Sequence, residues 1–138
     1  KQYPSFFDMK IEMMKVKDTF SLPDVNFVGG RHIWLPNAKP RLYQLLKILK
    51  QNPTIEVELQ GHICCDYENF DGEDQDLGTY NLSFTRADSI KEFLVKMGID
   101  IQRIKAKGLG HLNPVVYPEI TEADRIKNRR VELVLTKK

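Results

Sequence analysis

Residues 54–61, TIEVELQG, alternate apolar and polar side chains without a break: Ile55, Val57 and Leu59 fall on one side, Glu56, Glu58 and Gln60 on the other. An extended chain points successive side chains to opposite faces, so this segment is a strand with one face buried and one wet. Its apolar face needs cover, and the segments on either side supply it. Upstream, Leu42, Leu45, Leu46 and Leu49 fall at i, i+3, i+4 and i+7, the stripe of an amphipathic helix. Asn37 is placed to cap that helix, Pro40 is tolerated in its first turn, and Pro53 forbids its continuation. Downstream, Ser83 is placed to cap a second helix with Ala87, Ile90, Leu94 and Met97 as its buried stripe and Gly98 as its stop. That start puts Arg86 in the helix's first turn.

Three more strands are expected. One is a bent or edge strand in DTFSLPDVNFVGG, interrupted by Pro23 and ended by Gly29 and Gly30. The others are a short strand in RIKAKGLG and a last one in RRVELVLTK, where Val131, Leu133 and Leu135 share a face. A further strand is conceivable near Lys10–Val16. Thr121 with Asp124 resembles a capping box for a short helix between the last two strands. The order predicts an α+β fold: a two-layer α/β sandwich with a mixed four-stranded sheet (β-α-β-α-β-β) and the helices on one face. Residues 19–138 form the domain and 1–18 read as a lead-in from an upstream region. The first residue is Lys1, and the expectation is a segment of a longer protein.

With 138 residues and 41% hydrophobic content, one core can form without structural metals or disulfides. A formal net charge of +2 demands neither nucleic acid nor an acidic membrane as partner. No run approaches the roughly 18 to 20 apolar residues that span a bilayer, and the N-terminus lacks the apolar core of a signal peptide.

The stretch GHICCDYENFDGEDQDLGTYNLSFTRA, residues 61–87, concentrates the polar chemistry. It holds six carboxylates between Asp66 and Asp76 and no Lys or Arg before Arg86. A nucleophilic cysteine needs a base and a depressed pKa, and neighbouring carboxylates push the wrong way, so Cys64 and Cys65 read as small packed hydrophobes. Adjacent cysteines also sit only about 3.8 Å apart at Cα, below the usual disulfide range. His62, Cys64 and Cys65 lack a fourth ligand for zinc. Placing Gly72 at the sixth position of a calcium loop leaves Tyr67 first and Gly78 twelfth, where the motif wants Asp and Glu. GLGH fits no nucleotide fingerprint. What remains is recognition: Arg86 near a helix N-terminus can hold a carboxylate bidentately, while the acidic loop receives an ammonium group. Pairing of Arg86 with a neighbouring acidic side chain is the competing reading of the same spacing.

The segments NFVGG, LQGH, NLSFTRADSIKEFLVKMGI, KGLGHLNPV and NRRVELVL occur in an order and spacing that resemble the OmpA-like C-terminal domain, a peptidoglycan-binding family of Gram-negative envelopes. The resemblance covers roughly residues 19–137. It implies a noncatalytic periplasmic module without cofactor or metal, gripping the diaminopimelate of the peptidoglycan stem peptide. Such a module would tether an outer-membrane protein or lipoprotein to the cell wall, reaching the membrane only through regions outside this chain. It also implies that Arg86 anchors a carboxylate, that Asn81, Leu82 and Phe27 shape the pocket, and that Arg129 or Arg130 borders it. One motif departs from the family: Gly-His-Thr-Asp stands here as Gly61-His62-Ile63-Cys64, so the ligand-binding Asp is Cys64. Asp66 is the nearest replacement, with Asp71 and Asp76 as later ones. The rival expectation keeps the fold but discards this ligand, leaving an interaction domain whose acidic loop docks a basic partner or holds calcium.

Overall fold

The alternating segment becomes β2 (Glu56–His62), at the centre of a four-stranded sheet with β1 (Thr19–Ser21), β3 (Ile104–Gly108) and β4 (Arg130–Lys137). The computed structural model describes residues 2–64 and 70–138. Strand order is β1-β4-β2-β3. β2 and β3 are parallel, and β4 runs antiparallel to both β1 and β2. The helices are α1 (Lys39–Gln51), α2 (Leu82–Lys96) and α3 (Glu122–Asn128). The expected α+β architecture with a mixed four-stranded sheet is the one observed, and the short third helix forms with its Thr121–Asp124 capping box complete.

The apolar positions go where their periods demand. Ile55, Val57 and Leu59 share one core with the α1 leucines, with Ala87, Ile90 and Leu94 of α2, and with Val131, Leu133 and Leu135 of β4. Burying each large aliphatic side chain contributes about 1.5–3 kcal/mol, so this shared face is the main source of stability. Edge-on contacts of Phe93 with Trp34 at 5.4 Å and with Tyr43 at 5.3 Å tie the two long helices to the segment before them.

Several local expectations are corrected. Residues 10–16 form no strand; Ile11–Met13 is a single 3-10 turn. The free edge of β1 is taken by residues nearer the N-terminus, where Phe6 N donates to Ser21 O at 3.0 Å and Ser21 N to Pro4 O at 2.8 Å. Phe6 and Met14 are buried in the same core. Asn37 does not cap α1, because a 3-10 turn over Pro36–Ala38 already curls the chain and leaves Ala38 at the cap position. Nor does Ser83 cap α2. Asn81 stands at that position without a side-chain cap, Ser83 lies inside the first turn, and Arg86 is therefore the fifth helical residue.

Candidate functional site

Two glycines let α2 begin directly on the sheet. Gly61 of β2 and Gly108 of β3 are register partners. A Cβ on Gly61 would overlap the Ser83 carbonyl, and one on Gly108 would lie 2.6 Å from Phe84 N. The first turn of α2 is thus pressed against bare strand backbone. Ser83, fully buried there, donates its hydroxyl to Asp71 Oδ2 and its amide to Asp71 Oδ1 at 2.9 Å. Gly72 N donates to the same Oδ1 at 2.8 Å. The N-terminal cap of α2 is a carboxylate from the acidic loop, satisfying orphan donors where the helix dipole favours negative charge.

Arg86 leaves α2 toward the turn that follows Phe27. Its Nε donates to Arg31 O at 3.0 Å and Nη2 to Val28 O at 3.1 Å, while the guanidinium lies 5.2 Å from the centre of the Phe27 ring. The residue is only 5% exposed. Burial, and then the nearby Arg129 charge, push its pKa down to about 10, so it is still a cation at neutral pH. Among the described residues no ion pair neutralises it. The expected alternative, a surface pairing with a neighbouring acid, is absent from the same residues.

A cavity of about 220 Å³ opens beside this guanidinium, lined by Gly29, Gly30, Ile63, Cys64, Gly72, Leu82, Arg86 and Arg129. Arg129 donates through Nη2 to Glu122 Oε1 at 2.8 Å, while its buried Nε has no partner among the described residues. A second hollow of about 270 Å³ continues past Arg86 and Arg129 to Phe27, Asn26, Glu122 and Ile126. Four of the residues expected at the site, Arg86, Arg129, Leu82 and Cys64, therefore meet around one cavity, and Phe27 borders the next. Asn81 turns its side chain to Thr79, whose hydroxyl donates to it at 2.6 Å. Asp66 and Cys65 lie outside the described residues. Cys64 is disulfide-bonded, so the expectation of a free packed thiol fails, and it offers no thiolate.

Two further carboxylates of the acidic loop, Asp74 and Asp76, are occupied from within. Asp74 is fully buried, 2.7 Å from His32 Nδ1, and its Oδ1 accepts the amides of Asp76 and Leu77. Burial alone would raise its pKa; hydrogen bonds from Thr85, His32 and those amides outweigh it and hold the carboxyl below the usual range. Asp76 pairs with Arg31 at 2.8 Å. His32, Asp74 and Asp76 bring potential metal-ligating atoms within 4.8 Å of one another. The Arg31 guanidinium already sits on that cluster. Asp74 and Asp76 are thus clasped by His32 and Arg31, which the hairpin over residues 26–35 brings across.

This geometry can be compared with known proteins. The sequence model of the OmpA family matches residues 27–129. The chain belongs to the OmpA family. Outer membrane porin F of Pseudomonas fluorescens is 37% identical over 109 residues, which are 79% of this chain and 31% of that protein. The protein named "Probable lipoprotein YiaD" of Escherichia coli (strain K12) is 34% identical over 113 residues, 82% of this chain and 48% of the relative. This OmpA-family chain thus spans less than half the length of either curated relative. Among solved structures, the peptidoglycan-associated lipoprotein of Burkholderia pseudomallei superposes with a TM-score of 0.64 at 26% identity, over 80% of this chain and 87% of that one. The periplasmic domain of MotB from Helicobacter pylori gives a TM-score of 0.68 at 16% identity, over 86% and 74%, a likeness of fold alone. No described helix is long and apolar enough to cross a membrane.

Proposed function

We propose that this OmpA domain binds peptidoglycan noncovalently through the diaminopimelate of the stem peptide, on the periplasmic side of the outer membrane. It thereby tethers a larger outer-membrane protein or lipoprotein to the cell wall. The observation that carries this reading is Arg86: a buried cation on a cavity, without a carboxylate partner among the described residues. A desolvated guanidinium is costly until an anion meets it, and a ligand carboxylate would do so bidentately. Arg129 brings a second guanidinium to the wall of the same cavity.

For the ammonium end, Asp71 is the loop carboxylate we assign in place of the family Asp. It is fixed at the α2 terminus, and its charge bears on Arg86. Among the described residues it accepts three hydrogen bonds, from Gly72 N and from the amide and hydroxyl of Ser83. Asp76, the other later candidate, is spent on Arg31. The internal pairing of Asp74 and Asp76 weighs against the rival role of these two carboxylates as a calcium site or a dock for a basic partner.

The test is cosedimentation with isolated sacculi. Arg86→Gln should bind about ten- to hundredfold more weakly, the worth of a charge-assisted hydrogen bond. Retention at the parental level would sink the site. Titrating diaminopimelate into Asp71→Asn and Asp66→Asn separates the two carboxylates: affinity should drop only for the first. A rise in melting temperature with calcium and none with diaminopimelate would instead support the rival, since a ligand selective for the folded state stabilises it.

A further inference from the structure

We infer that the sheet face turned away from the helices carries a second binding site, for a neutral acetamido sugar. Alternation on β2 places Gln60 and His62 opposite the core, and register sets them beside Glu132 and Arg130 of β4. Thr19 of β1 lies on the same face, in register with Val134. With Tyr3 and the turn after β3, these residues line a cavity of about 430 Å³, within the usual range for small-molecule sites.

The guanidinium and the carboxylate that line the cavity pair with each other. Glu132 is 5% exposed, and its Oε2 accepts from Arg130 Nε at 2.8 Å. Its Oε1 lies 3.2 Å from His62 Nε2. The other two Arg130 nitrogens donate to the carbonyls of Asn128 and Asn113.

Neutral hydrogen-bonding capacity is left over. His62 is 3% exposed, and neither of its buried ring nitrogens makes a hydrogen bond among the described residues, a rare condition in a folded chain. Gln60 spends its amide nitrogen on Glu58 at 2.7 Å, which leaves its carbonyl oxygen as an acceptor. Leu109, Leu112 and Pro114 add an aliphatic wall. Uncharged donors and acceptors beside an apolar wall match a pyranose ring, which shows hydroxyl and acetamido groups at its rim and C–H bonds on its face. The site sits at the same end of β2 as the Arg86 cavity but across the sheet. A peptidoglycan glycan strand is one source of this chemistry, although the inference stands without the Arg86 reading.

The test is a titration of isotope-labelled protein with tri-N-acetylchitotriose, followed by backbone amide shifts, with maltotriose as the sugar lacking acetamido groups. Saturable shifts confined to Gln60, His62 and residues 109–113, with chitotriose but not maltotriose, are expected. They should persist in Arg86→Gln. Gln60→Ala and Thr19→Val, each checked for an unchanged melt, should weaken binding roughly three- to tenfold, the worth of one hydrogen bond. No saturable shift with chitotriose, equal response to maltotriose, or unchanged affinity in both variants would overturn the inference. Diaminopimelate binding that survives any of those results leaves the Arg86 site intact.

Discussion

The amide and hydroxyl of Ser83 both donate to the Asp71 carboxylate, twelve residues earlier in the chain. This pairing joins the acidic loop to the helix that carries Arg86, so the two halves of the proposed clamp share one anchor. Asp71→Asn removes the negative charge from the α2 terminus and weakens three hydrogen bonds. It should cost about 1–3 kcal/mol of stability, measured by urea denaturation.

The close approach of α2 to the sheet gives a harsher case. Gly61→Ala places a methyl group on the Ser83 carbonyl, and neither backbone can yield cheaply. A loss of about 3 kcal/mol or outright failure to fold is expected, read from the melting curve. Gly29→Ala, where an added Cβ meets nothing within 4 Å, is the control and should change little.

Carboxylate binding at Arg86 should fade in alkali earlier than for an exposed arginine. Burial first, and Arg129 second, bring the pKa down to about 10. The bound carboxylate needs the cation, so affinity for diaminopimelate should fall as pH rises through about 10. The sign for stability is opposite. Above that pH the folded state has shed a proton that the unfolded chain still holds, so this group's burial cost is relieved with rising pH. Calorimetric titrations at increasing pH check the first effect, and an affinity flat to well beyond that value would contradict it.

Glu132 provides an acid counterpart. Burial pushes its pKa up, but the close approach of His62, the Arg130 hydrogen bond and the Arg130 charge outweigh it, leaving the carboxyl below its ordinary 4.5. A depressed carboxyl stabilises the fold above its unfolded pKa, and that contribution is lost as pH falls through the lower folded value. Glu132→Gln should therefore be less stable at neutral pH, and its deficit should shrink in acid below about 4.5. Urea midpoints measured across that range decide it.

Asn128, 1% exposed, organises the loop before α3. Its Oδ1 accepts from Val115 N at 2.7 Å and Val116 N at 3.1 Å, and Nδ2 donates to Val116 O and Glu119 Oε2, both at 2.8 Å. Asn128→Ala should cost about 2 kcal/mol or more and raise amide exchange over residues 113–119, because buried backbone amides lose their partners.

Periodicity alone was enough to locate both long helices, the central strand and the last one, since a side chain's face follows from its position in a 3.6- or 2-residue repeat. Leu42, Leu45, Leu46 and Leu49 are all buried as spaced. The family was also legible, because its motifs are contiguous strings. Caps were read less well. Asn37 and Ser83 are good capping types, yet one is absorbed by a 3-10 turn and the other bonds a distant Asp. Local propensity cannot see either event.

The sequence by itself determined the α+β class, the buried faces and the arginine on α2, all properties of short windows. Only the tertiary structure decided what the carboxylates do. Asp71 went to a helix terminus, Asp74 to His32 and Asp76 to Arg31, across separations of 12, 42 and 45 residues. Charge is long-ranged and indifferent to order along the chain, so a run of acids specifies its partners only once the fold has brought cations and helix ends beside it.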